Sequence, residues 1–85
     1  MKFMIEVELM RKADDEEIAP LINDEYLVTK RLMKEGFLKV GYTTVDYSRT
    51  WLVMVSETQE TVKEVMKSFP LYKYIKFKIT PLADF

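Results

Sequence analysis

The chain of 85 residues has no cysteine and no histidine, and only two glycines and three prolines. Each shortage excludes something. Without cysteine or histidine there is no disulfide framework, no Cys/His zinc site, and no Ser-His-Asp or Cys-His triad. Proton chemistry in this chain must run on carboxylates, lysines or tyrosines, or on a bound cofactor. No apolar run reaches the roughly 18 residues of a membrane span. Glu6 and Glu8 interrupt the apolar start, so residues 1–10 do not read as a signal peptide. The few glycines and prolines form no linker, and there is no repeat, so residues 1–85 are expected to form one domain. The lack of cysteine fits a cytoplasmic location.

What is present is a globular composition, 48% apolar and 32% charged. A domain of this size buries about 64% of its surface on folding, a thin core that self-association would help. Thirteen basic and fourteen acidic groups leave a net charge of −1, which argues against a polyanion partner. The RNA-recognition signature is absent from the third strand segment, Thr50–Val55, and there is no phosphate-binding glycine loop. Neither nucleic acid nor membrane is expected as a partner.

Periodicity then orders the elements. Lys2 to Met10 alternates, with Phe3, Ile5, Val7 and Leu9 on one face, and predicts a first strand. Acidic residues 14–17 suit a helix N-terminus, and Gly36 suits its end; Pro20 either opens that helix or follows a short acidic turn. Residues 37–47 predict a second strand, 46–49 a polar hairpin break, and 50–55 a third strand. Ser56 and Gln59 read as a capping box for a second helix, with Val62, Val65, Met66 and Phe69 on its apolar side and Pro70 as its stop. Residues 74–80 alternate again, up to Pro81. The order βαββαβ predicts an α+β fold, a ferredoxin-like four-stranded antiparallel sheet with both helices on one face.

Three features bear on function. On a helical wheel, Glu25 falls within the apolar stripe of Ile18, Leu21, Ile22, Val28 and Leu32. A carboxylate there is desolvated or specifically bonded, unless the chain near Pro20 turns it to water. Second, the sheet face away from the helices should carry Met4, Glu6, Glu8 and Met10 beside Tyr74, Lys76, Lys78 and Thr80, pairing the glutamates with the lysines. The third strand is apolar on both faces, through Trp51, Val53 and Val55 and through Leu52 and Met54, so something must cover its outer side. Third, Tyr42, Tyr47, Tyr72 and Tyr74 with Trp51 suit either a pocket for a flat organic ligand or an ordinary sheet.

The run from Ser68 to Ile75, Ser-Phe-Pro-Leu-Tyr-Lys-Tyr-Ile, followed by Ile79-Thr80-Pro81-Leu82-Ala83, resembles the muconolactone isomerase family. The resemblance extends without gaps back into the first helix. It implies a dimeric α/β barrel, in which two subunits pack their open sheet faces together. It also implies a double-bond shift in a small unsaturated lactone without cofactor or metal, and it places the family's helix glutamate at Glu25. A ligand of that kind would be contacted by Tyr42, Glu6, Glu8, Trp51, Tyr74 and Lys76. Two departures stand out. Residues 38–43 lack the family's Trp/His/Trp/Arg run, and the charge signs at Glu6, Lys76 and Lys78 are reversed. The expectation is a cofactor-free isomerase with Glu25 as base; the alternative is a non-catalytic binding or interaction module on the same scaffold.

Overall fold

The computed structural model describes residues 1–85. Four strands, β1 (Lys2–Leu9), β2 (Leu38–Thr43), β3 (Arg49–Val55) and β4 (Ile75–Leu82), form one antiparallel sheet in the order β2-β3-β1-β4. Two helices, α1 (Ile22–Lys34) and α2 (Gln59–Met66), fill the connections of the βαββαβ order. The arrangement is the ferredoxin-like fold expected from the periodicity.

Register decides what each face carries. Phe3 pairs with Met54, Ile5 with Leu52 and Ile79, and Val7 with Phe77, so these residues share the side packed on the helices. Phe3, Ile5, Leu38, Leu52 and Met54 are buried there against Leu32 of α1 and against Val62, Met66 and Phe69. A bulge between Leu38 and Val40 shifts the parity of β2, so that Leu38 and Gly41 both join this side while Val40 pairs with Val53 on the other.

Several boundaries differ from the sequence reading, each for a local reason. The acidic residues 14–17 do not open α1. They form turns ahead of it, where the Asp15 carbonyl accepts from the Ile18 and Ala19 N–H groups. A short 3₁₀ turn, Ala19–Leu21, with Pro20 in its first turn, leads into α1. Gly36 takes φ +79° just past the α1 C-cap, as a C′ glycine does. The cap of α2 is Thr58, not Ser56: Thr58 is extended, and its hydroxyl accepts from the Thr61 N–H at 3.2 Å. β2 stops at Thr43, because Thr44–Ser48 form the hairpin turn. β4 runs on through Pro81 to Leu82. It is an edge strand, where a proline's missing N–H disrupts no ladder.

Candidate functional site

The helix side of the sheet is not evenly filled. At one end Phe3, Leu38 and Met54 close the core. At the other, β2 and β3 offer the small residues Gly41, Thr43 and Thr50 beside Leu52. These small residues leave a cavity of about 390 Å³ between the sheet and α1, walled by Val7, Leu9, Ile22, Leu52, Phe69, Leu71 and Ile75. A Cβ at Gly41 would lie 2.9 Å from Leu52 Cδ2, so glycine here keeps the wall thin.

Glu25 stands in this cavity. It lies in the first turn of α1 and is half-buried. Its Oε1 accepts a hydrogen bond from the Leu71 backbone N–H at 3.2 Å. Pro70 has no N–H, so Leu71 offers the first free donor of the segment that follows Phe69. No lysine or arginine forms an ion pair with Glu25. Burial pushes its carboxyl up from the ordinary 4.5 to about 7, and the Leu71 bond, which favours the charged form, opposes only part of that. The carboxyl is therefore poised to gain or lose a proton near neutral pH.

The other polar groups at the cavity are few. Thr29 turns its hydroxyl back to the Glu25 carbonyl at 2.9 Å. Thr50 donates to Thr43 at 3.0 Å, and Thr43 donates to the Arg49 carbonyl at 3.1 Å. Tyr26, Lys30, Tyr42 and Tyr47 border the cavity toward solvent. The Lys30 ammonium lies 5.6 Å from the Tyr26 ring centre.

The residues singled out from sequence do not form one cluster. Glu25 is in the cavity, and Tyr42 borders it, although Tyr42 is 70% exposed and sits opposite Trp51 on the outer face. Glu6, Glu8, Trp51 and Lys76 lie on that outer face, with the whole sheet between them and Glu25. Glu6 is opposite Lys78, and Glu8 is opposite Lys76, as the alternation predicts. Neither couple closes to an ion pair. Glu8 pairs instead with Arg49 across β3, at 3.3 Å.

Tyr74 also lies outside the cavity. It donates to Glu17 at 3.1 Å, which pushes its phenol up, and Arg11 covers its ring. Arg11 in turn pairs with Glu17 at 2.8 Å, so this group straps the segment before α1 to the start of β4. Sequence reasoning missed Tyr26, Lys30 and the Leu71 N–H. The first two follow Glu25 by one and five residues on the same helix, a signal that was available. A backbone donor carries no side-chain signature.

The fold has known counterparts. A crystal structure of muconolactone isomerase superposes with a TM-score of 0.84 at 18% identity, covering 100% of this chain and 91% of that one. The 5-chloro-2-hydroxyhydroquinone dehydrochlorinase of Burkholderia phenoliruptrix AC1100, in complex with 2,5-dihydroxybenzoquinone, superposes with a TM-score of 0.70 at 16% identity, covering 98% and 94%. At these identities the superpositions establish the fold. Among curated protein sequences, none matches significantly. The family description "Muconolactone delta-isomerase" matches residues 1–85, the entire chain. A cavity built by the fold around one desolvated carboxyl thus sits in a chain that belongs to the muconolactone delta-isomerase family.

Proposed function

We propose that this protein is a cofactor-free isomerase that moves a double bond within a small unsaturated lactone or related carbonyl compound, with Glu25 as the single acid–base group. The observation that carries the reading is the Glu25 carboxyl, unpaired by any cation, in a cavity large enough for a ring-sized molecule, with its proton affinity raised to about 7. Such a shift needs a base to take a proton from a carbon made acidic by the carbonyl, leaving an extended enolate. The same group, now a carboxylic acid, then gives the proton to a remote carbon, and the enzyme returns to its starting state. Lys30, at the cavity border, is a donor available to the carbonyl oxygen.

Glu25→Gln keeps the size and the acceptor for Leu71 but removes the base. With muconolactone as the trial substrate, we expect turnover to fall by about 10²–10⁴-fold. Wild-type turnover should rise with pH through about 7 as Glu25 ionises. Undiminished turnover in the Gln variant would sink the proposal. Thermal stabilisation of the wild type by the lactone without turnover would instead establish the binding module.

The proposed working form is a dimer, two copies packing their outer sheet faces into an α/β barrel. Val40, Val53 and Met4 form one row across that face and Tyr42 and Trp51 begin the next, giving it an apolar centre. A monomer by light scattering at micromolar concentration would contradict this.

A further inference from the structure

The β2–β3 hairpin holds the one non-glycine residue in the left-handed region: Tyr47, with φ +63°. Turns that require this conformation ordinarily take glycine, asparagine or aspartate, because a side chain there crowds the backbone. Tyr47 is held in place nonetheless. The Asp46 carboxylate accepts from the Thr44 hydroxyl at 2.8 Å, the Ser48 N–H at 3.0 Å and the Ser48 hydroxyl at 2.7 Å. The Tyr47 N–H itself donates to the Thr44 carbonyl. With the backbone fixed on both sides, the phenol is presented from one position.

That position is at the site. Tyr47 and Leu9 are shared between the Glu25 cavity and a second hollow against residues 10–14. The phenol has no hydrogen-bond partner in the protein, and the residue is 47% exposed, so neither core packing nor polar bonding accounts for a strained tyrosine here. Strain of this kind is kept where a site uses it.

We propose that Tyr47 is a specificity-determining residue of the Glu25 cavity, its ring forming a preset aromatic wall against a small, flat, conjugated carbonyl compound. The inference rests on the reading of that cavity as the substrate site and adds to it the shape of the substrate. An aromatic face fixed in advance selects planar π systems and loses little freedom when it binds them.

The test uses 2,5-dihydroxybenzoquinone as the planar probe, with dissociation constants from calorimetry and unfolding midpoints from thermal melts. Tyr47→Phe keeps the ring and should bind within about two-fold of the wild type. Tyr47→Gly should bind about ten-fold more weakly, while its midpoint rises by about 4–8 °C as the strain is relieved. Tyr47→Leu should also bind more weakly, without the gain in stability. Unchanged binding in the Gly and Leu variants overturns the proposal, and so does a wild type that fails to bind the probe. Turnover is scored separately. If no variant turns over muconolactone yet the binding order holds, the general-base reading fails and the Tyr47 inference stands.

Discussion

Phe3, Ile5, Leu52 and Met54 are buried beneath the two helices, while Met4, Trp51 and Val53, their neighbours along the same two strands, remain part-exposed on the other side. The chain covers one face of its sheet with its own helices and leaves the other part-exposed. The two faces also handle charge differently. The helix side admits a single carboxylate, Glu25, and raises its proton affinity. The outer side carries Glu6, Glu8, Arg49, Lys76 and Lys78 with their charges in or near water. In the proposed reading, the first face carries the proton chemistry and the second the contact between copies.

Met54→Ala tests the covered face most severely. Truncating this fully buried side chain should cost about 2–5 kcal/mol, read by urea unfolding. The expected counterpart on the outer face is Trp51→Ala, which should weaken self-association by about 2 kcal/mol or more and leave monomer folding nearly untouched. Sedimentation over a dilution series separates the two effects. Unaltered assembly would mean that this face does not carry the contact.

A smaller effect is expected from pH. The folded pKa of Glu25, about 7, lies above its ordinary 4.5, so the folded state holds this proton more tightly than the unfolded chain does. Its contribution to stability is therefore intact below about pH 4.5 and declines as pH rises through 7. The decline is at most about 2 kcal/mol once solvent screening of a half-buried group is allowed for. Glu25→Gln should flatten the dependence and be the more stable protein at pH 8. An unaltered slope would show that Glu25 is not desolvated. Arg49→Ala, which breaks an exposed pair with Glu8, should change stability by less than about 1 kcal/mol and leave the cavity unaffected.

Strand parity was legible because apolar residues at 3, 5, 7 and 9 and at 75, 77 and 79 leave one arrangement that buries both sets. Glu25 was legible because a carboxylate in an apolar stripe breaks the pattern around it. The cavity was not. It depends on the bulge after Leu38, which brings Gly41 and Thr43 opposite Leu52 and Thr50, and bulges have no reliable residue signature. The α2 cap was misplaced because Ser56 and Thr58 both suit the role, and only backbone geometry chooses between them. The division of the expected ligand contacts between two faces follows from which strand neighbours which, and Glu8 found Arg49 because β3 flanks β1 on one side as β4 does on the other.

The desolvated carboxyl also makes the molecule its own indicator. Histidine is the side chain that ordinarily exchanges protons between pH 5 and 8, and this chain has none. Glu25 is the one side chain pushed into that interval. The proton uptake or release that the wild type shows there and Glu25→Gln lacks, on titration or on adding a ligand, thus counts the occupancy of a single oxygen pair. A weakly buffered solution and a pH electrode can follow the site with no label, chromophore or known substrate.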